Sequence, residues 1–156
     1  MKRHEGLIPL SHDHHQGLVH AARLTRAAAG KIPIDETVDD FLAFYPDELL
    51  RHFREEEEVL GEVMAEKCGE DDPQRIRLFT DHETFHALVR ELQAARGEGE
   101  DLSTAAGAVG DFLERHIRFE ERELFPRLEG LLTEEELLAL PAHFGGGPSC
   151  APSSEG

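Results

Sequence analysis

Three pairs of residues spaced four positions apart constrain the fold of this chain more than any other feature. Each pair begins with a histidine and ends with another side chain that can bind a metal; the pairs are His52 with Glu56, His82 with His86, and His116 with Glu120. Residues four apart in a helix lie on one face, with Cβ atoms roughly 5–6 Å apart. Each pair can therefore offer two ligands to one site. Together with a histidine from the upstream group His12, His14 and His15, they predict a pair of metal ions between four helices.

Glycine and proline residues divide the chain into four long segments. These segments span residues 9–29, 35–67, 73–96 and 102–128. Each exceeds 20 residues and can extend roughly 30 Å as a helix. A shorter segment, residues 133–140, begins with Thr-x-x-Glu, a pattern typical of a capping box, and stops at Pro141. The sequence therefore predicts an all-α fold, an up-down four-helix bundle followed by a short C-terminal helix.

The domain limits follow from composition. Residues 1–144 are predicted to form one domain, and the Gly/Pro/Ser-rich tail, residues 145–156, is predicted to be disordered. Pro46 lies inside the second segment and should either kink or interrupt it. The two cysteines, Cys68 and Cys150, are interpreted as unpaired thiols.

The paired residues lie within apolar stripes. Steps of three and four residues connect them to hydrophobic neighbours such as Leu49 and Leu60 in the second segment, Phe85 and Val89 in the third, and Leu113 in the fourth. A bundle buries such stripes together. Burying an unpaired ion costs several kcal/mol, and the stripes carry no Lys or Arg near the pairs. A metal cation is therefore the expected partner of the buried carboxylates.

The types of ligand also discriminate among metals. No cysteine lies near the pairs, which argues against a structural zinc site of the cysteine type. Imidazole and carboxylate together suit iron, manganese, zinc or copper, whereas magnesium and calcium prefer oxygen ligands. Two carboxylates can bridge two metals roughly 3.5–4 Å apart.

The charge of the chain excludes some partners. Asp and Glu number 33 against 16 Lys and Arg, which gives a formal net charge of −17. This balance argues against binding to nucleic acid or to an anionic membrane. The sequence shows no apolar run long enough to cross a bilayer and no signal peptide, so we expect a cytoplasmic location.

The order of the histidines and carboxylates resembles the hemerythrin-like (HHE cation-binding) family. The strings that carry the resemblance are LSHDHHQGL, HFREEEEVL, DHETFHALV and HIRFEERELFP. The family implies a four-helix bundle around a non-haem di-iron centre. The family's histidine positions correspond to His52, His82, His86 and His116, and its first bridging carboxylate corresponds to Glu56. The cofactor is thus expected to be two non-haem iron ions, with manganese or zinc as substitutes.

Two ligand positions stay open between neighbouring residues. In the first segment the apolar stripe favours His14, with His15 and then His12 as alternatives. In the fourth segment the inner face favours Glu120, whereas classical oxygen-carrying members of the family place a carboxylate at the position of Glu121. The predicted metal ligands are His14, His52, Glu56, His82, His86, His116 and Glu120. Tyr45 is interpreted either as a core residue or as a hydrogen-bond donor beside the ligand channel.

Several functions fit such a centre. The leading hypothesis is a di-iron protein that binds O2 or NO, or responds to redox state. The alternatives are a di-iron oxidoreductase, acting on peroxide or donating iron for repair under nitrosative stress, and iron storage. The expected partner is a small ligand, O2, NO or peroxide. The sequence makes no prediction of oligomeric state and identifies no catalytic residue apart from the ligands.

Overall fold

Four long helices form a bundle in the computed structural model, which describes residues 2–144. The first helix is Ile8–Ala28, the second covers residues 34–68, the third is Pro73–Gly97 and the fourth covers residues 103–131. A short fifth helix, Glu134–Ala139, and two 3-10 turns, Glu5–Leu7 and Leu140–His143, complete the chain. These bounds lie within a few residues of the predicted segments, and the all-α fold class is confirmed. The tail predicted to be disordered, residues 145–156, lies outside the described residues.

The second and fourth helices contain π turns, in which the hydrogen-bonding step lengthens by one residue. The second helix runs through Ile34–Phe44, a π turn Tyr45–Leu49, Leu50–Glu55, a π turn Glu56–Leu60 and Gly61–Cys68. The fourth runs through Ser103–Phe119, a π turn Glu120–Leu124 and Phe125–Leu131. Pro46 thus lies in a π turn and changes the local hydrogen bonding without ending the helix.

The helix ends follow the local sequence. Asp72 caps the third helix, because its side chain accepts hydrogen bonds from the backbone N–H groups of Gln74 and Arg75. Thr133 and Glu136 form the predicted capping box at the start of the fifth helix. Gly69 ends the second helix with a φ of 98°, a backbone conformation that glycine adopts without a Cβ penalty.

Two hydrophobic clusters make up the core. The larger one contains Leu24, Phe41, Phe53, Phe85, Val89, Val109 and Leu113 among others. The other is built around Leu7, Leu10, Leu60, Met64, Leu78, Phe125 and Leu128. A layer of buried polar side chains contacts both clusters, since Phe53 of the first cluster stacks on His82 and Phe125 of the second stacks on His14. The apolar clusters thereby enclose the polar layer.

Glycine lets the first and fourth helices approach closely. A Cβ atom on Gly110 would lie 2.8 Å from the carbonyl oxygen of Ala21, and one on Gly17 would lie 2.9 Å from Cδ1 of Ile117. These two helices also carry His14 and Glu120, so their close packing sets how near the two side chains lie. Within residues 2–144, none of the helices combines the length and the apolar character that crossing a bilayer requires.

Candidate metal centre

Six side chains with metal-binding atoms converge in the buried polar layer. All are at most 3% exposed, and they are His14, His52, Glu56, His82, His116 and Glu120. Each of the four long helices contributes at least one of them. The apolar stripes described above carry them inward, as expected for helices that bury one face in a bundle.

Glu56 lies among three imidazoles. Its Oε2 atom is 2.8 Å from Nε2 of His52 and 3.3 Å from Nε2 of His14. Its Oε1 atom is 3.1 Å from Nε2 of His82. The two oxygens of one carboxylate therefore face histidines of three different helices.

Glu120 occupies the equivalent position on the fourth helix. Its Oε1 atom is 2.7 Å from Nε2 of His14, and its Oε2 atom is 3.0 Å from Nε2 of His116 and 4.0 Å from Nε2 of His82. Both glutamates begin a π turn. Such turns are often found at functional sites, where they change the direction of a side chain relative to the regular helix.

The six side chains form two adjoining ligand sets. One set is His14, His52, Glu56 and Glu120, and the other is Glu56, His82, His116 and Glu120. Within each set the ligand atoms lie within 4.8 Å of one another. Both sets use the same two glutamates, so the arrangement can hold two cations that share two carboxylates.

A second carboxylate holds the outer edge of each imidazole. The Nδ1 atom of His14 is 2.6 Å from Glu121, that of His52 is 3.0 Å from Asp13, that of His82 is 2.7 Å from Glu57, and that of His116 is 2.9 Å from Asp81. An ionised carboxylate only accepts hydrogen bonds, so each Nδ1 carries the proton. The Nε2 lone pair is then available on the inner side, as in carboxylate–histidine–metal triads.

The two halves of the chain build the same arrangement. Each half has an Asp-His dipeptide on one helix and a His-x-x-x-Glu-Glu sequence on the next helix. In the first half these are residues 13–14 and 52–57, and in the second half they are residues 81–82 and 116–121. The aspartate of each half contacts a histidine of the same half, Asp13 with His52 and Asp81 with His116. The last glutamate of each half contacts a histidine of the other half, Glu57 with His82 and Glu121 with His14. Each ligand set therefore takes both of its histidines from one half of the chain.

The chemistry of the cluster fits a pair of cations. The Nε2 atoms of His52 and His116 and both carboxylate oxygens of Glu120 are buried without a hydrogen bond of acceptable geometry. These atoms lie 2.7–3.0 Å from an imidazole or carboxylate neighbour, but buried carboxylates and imidazoles need protons or cations between them to offset the cost of burial. Imidazole nitrogens and carboxylate oxygens suit iron, manganese and zinc. The six residues are therefore compatible with a metal centre.

The carboxylates also increase the affinity of the imidazoles for protons. Burial alone lowers the pKa of His52, but Glu56 and Asp13 together more than offset this effect and raise the pKa to about 9. Burial acts in the same way on His116, and Glu120 and Asp81 together raise its pKa to about 10. For Glu56 burial raises the pKa, yet the neighbouring imidazoles hold it well below its usual range. Because metal ligands must be deprotonated, a cation must displace these protons.

The structure separates the alternatives in the first and fourth helices. His14 lies in the cluster and is 3% exposed, whereas His12 and His15 are exposed. Glu120 faces the inner side of the cluster, and Glu121 lies on the outer side of His14. These are the positions that the apolar stripes favour, and the role of His14 and Glu120 as metal ligands stays a prediction.

His86 lies outside the cluster. It is half-buried, and its Nδ1 atom is 2.6 Å from the hydroxyl oxygen of Tyr45. The structure therefore brings together six of the seven predicted ligands. Sequence reasoning missed the outer carboxylates of Asp13, Glu57 and Asp81. The repetition of the Asp-His and Glu-Glu dipeptides in the two halves of the sequence could have indicated these carboxylates.

A comparison with protein-family models agrees with this geometry. Residues 7–128, most of the chain, match the model of the hemerythrin HHE cation binding domain. No curated protein and no solved structure matches the chain significantly. The matched region contains all six clustered side chains and the π turns at the two glutamates. With its four-helix bundle and its buried histidine–glutamate cluster, the chain belongs to the hemerythrin HHE cation-binding family.

Proposed function

We propose that this protein is a non-haem di-iron protein that binds O2 or NO. His14 and His52 would hold one iron and His82 and His116 the other, and Glu56 and Glu120 would serve both. The observation that carries this proposal is the pair of glutamates common to both ligand sets. When bound, the iron pair supplies the redox-active positions at which a small ligand binds.

The surrounding residues orient the ligands and exclude water. Phe53 stacks on His82 at a ring distance of 4.2 Å and lies edge-on to His116. Phe125 stacks on His14 at 5.3 Å. These rings make the surroundings of the imidazoles apolar. The site therefore favours a small neutral molecule over a large or charged one.

An optical experiment tests this function. The protein is loaded with ferrous iron under anaerobic conditions and its absorption spectrum is recorded before and after exposure to O2, and separately to NO. We expect new visible absorption with each gas, which is reversed on removal of NO. A spectrum that neither gas changes, in protein whose iron content has been verified, would contradict the proposal.

A di-iron oxidoreductase acting on peroxide is the second candidate. Reduction of peroxide to water consumes electrons, which a pair of ferrous ions would supply and an external reductant would restore, and it also consumes protons. The outer carboxylates connect the buried imidazoles to the surface; Glu57, bound to His82, is 33% exposed, and Asp13, bound to His52, is 26% exposed. Rapid turnover of peroxide by the loaded protein would favour this enzyme. Repeated reversible O2 binding without turnover would favour the carrier or sensor.

A further inference from the structure

A group of arginines lines one groove between the third and fourth helices. The groove has a volume of about 570 Å³. Its arginines, called the arginine patch below, are Arg77, Arg115, Arg118 and Arg122. They outnumber the carboxylates of the same lining, Glu114 and Glu123. The chain as a whole has a formal net charge of −17, so the patch is a local excess of positive charge on a strongly negative protein.

The arginines of the patch are available to a binding partner. Arg115 lies 3.1 Å from Asp111, and Arg118 lies 3.5 Å from Glu114, in pairs whose side chains are all more than 40% exposed. Exposed pairs of this kind contribute only about 0–1 kcal/mol, so exchanging them for a new partner costs little. Arg122 is also exposed and forms no ion pair with any residue that the structure describes.

The patch lies directly outside one of the clustered histidines. The Cζ atom of Arg77 is 3.9 Å from the centre of the Phe119 ring, and that ring is 6.2 Å from the ring of His116. Asp81 provides a second connection, since its Oδ2 atom is 3.4 Å from Nε of Arg77 and 2.9 Å from Nδ1 of His116. One layer of side chains therefore separates the patch from this imidazole.

The other outer carboxylates do not lie beside such a surface. Arg51 is the cation beside Asp13, and it pairs with three carboxylates. Arg3 is the cation beside Glu121, and it pairs with two. The remaining outer carboxylate, Glu57, belongs to a run of four glutamates. The patch therefore marks one of the four routes from the surface to the cluster and distinguishes it by charge.

We propose that the arginine patch is the docking surface for an acidic one-electron carrier protein that reduces the metal pair. This inference rests on the proposed function, because O2 binds to ferrous iron and an oxidised pair must be reduced before it binds again. Two carriers give up one electron each, the two ferric ions become ferrous, and both carriers leave oxidised. Electron transfer slows steeply with distance, so a carrier has to dock where few side chains separate the surface from a ligand. Carboxylates of the carrier pair with Arg115, Arg118 and Arg122.

The net charge of the protein does not prevent this contact. At an ionic strength of about 0.1 M the Debye length is about 10 Å, so charges further from the contact are largely screened. The arginines at the contact then determine the approach of the carrier. Complementary charges raise association rates by about 10–1,000-fold, and this effect decreases with salt. We therefore expect reduction by an acidic carrier to slow as the salt concentration rises from about 0.1 to about 0.5 M.

Stopped-flow kinetics with two one-electron reductants of opposite charge test the proposal. Reduced plant-type [2Fe–2S] ferredoxin, an acidic protein, and the reduced methyl viologen cation are each mixed anaerobically with the oxidised, iron-loaded protein. The patch variant combines Arg118→Gln with Arg122→Gln. The control combines Arg26→Gln with Arg54→Gln, which removes the same charge from exposed positions outside the patch. We expect the patch variant to lower the second-order rate constant with ferredoxin by at least about threefold, whereas the control retains it. Methyl viologen should reduce all three proteins at the same rate.

Several results would overturn the docking surface. They are an unchanged ferredoxin rate in the patch variant, equal slowing in the patch variant and the control, and a methyl viologen rate that falls as much as the ferredoxin rate, which would place the defect in the metal centre. A ferredoxin rate that rises with salt, or an unsubstituted protein that ferredoxin does not reduce, would also overturn it. These last two measurements need no substitution and remain decisive if the patch variant fails to fold. Failure of the unsubstituted protein to bind iron would instead contradict the proposed function.

Discussion

Oε2 of Glu121 lies 2.6 Å from Nδ1 of His14. The preceding residue, Glu120, lies 2.7 Å from Nε2 of the same ring. Two consecutive glutamates therefore hold opposite edges of one imidazole, and the π turn that begins at Glu120 directs both of them toward the first helix. The inner carboxylate is placed to bind metal, whereas the outer one fixes the tautomer and the orientation of the histidine.

Replacing Glu121 should weaken metal binding without removing the centre. In Glu121→Gln, His14 loses a charged acceptor, and we expect metal affinity to fall by about 10–100-fold while the number of bound irons is unchanged. Competition with a chelator of known affinity measures the loss. Glu123→Gln is the matched control, because Glu123 is exposed two residues further along. A Glu121→Gln protein that binds no iron would indicate that Glu121, rather than Glu120, is shared by the metals.

The repeat between the two halves predicts a similar effect at Glu57. This carboxylate lies 2.7 Å from Nδ1 of His82, in the position that Glu121 has at His14. We expect Glu57→Gln to weaken metal affinity by about 10–100-fold as well, whereas the exposed neighbour Glu58→Gln should have little effect. If Glu57→Gln behaved like its control while Glu121→Gln did not, the functional equivalence of the two halves would be wrong.

The stability of the metal-free protein should decrease at alkaline pH. The pKa values of His52 and His116 are raised to about 9 and about 10, above an unfolded value of about 6.5. Their contribution to folding is therefore complete below about pH 6.5 and is lost as the pH rises through about 9 to 10. Urea unfolding of metal-free protein at pH 7 and pH 10 measures this loss.

Metal affinity should change in the opposite direction. Cations must displace the protons of His52 and His116, so zinc binding should strengthen as the pH rises from 6 to 9 and should release protons at pH 7. Calorimetry in two buffers with different ionisation enthalpies counts the released protons. Zinc binding that released no proton at pH 7 would mean that the imidazoles are already neutral in the metal-free protein, which contradicts the raised pKa values.

The contact between the first and fourth helices should tolerate no added side chain. A Cβ on Gly110 would lie 2.8 Å from the carbonyl oxygen of Ala21, so Gly110→Ala should destabilise the protein by roughly 1–3 kcal/mol. Gly97→Ala is the control, since a Cβ there meets nothing within 4 Å. Denaturant unfolding compares the two. Equal stabilities would show that the helices separate at little cost.

The sequence contains enough information to predict the helices and the inner face of the bundle. Periodicity placed His14 and Glu120 inward and their neighbours His15 and Glu121 elsewhere, and the structure agrees. Spacing alone does not determine the surroundings of His86, because a shared helical face does not fix the direction of a side chain. Its Nδ1 atom lies 2.6 Å from the hydroxyl oxygen of Tyr45, a partner 41 positions away in the sequence, and its role as a ligand stays a prediction.

The outer carboxylates could not be singled out for a different reason. Acidic residues are 33 of the 156 in this chain, so an acid beside a histidine is expected by chance. Asp13 and Asp81 acquire meaning only because each contacts the histidine of the neighbouring helix. The π turns at Glu56 and Glu120 could not be predicted either. They change the hydrogen bonding locally, but the spacing of the apolar residues still fits a regular α-helix.

The EPR spectrum of iron-reconstituted, air-oxidised protein, with its iron and protein contents determined, tests the dinuclear centre most directly. Two ferric ions that share Glu56 and Glu120 couple their spins in opposite directions. We therefore expect two irons per chain, one for each ligand set, and almost no ferric EPR signal. One iron per chain, or two irons that give the full signal of isolated high-spin ferric ions, would contradict the shared-carboxylate centre.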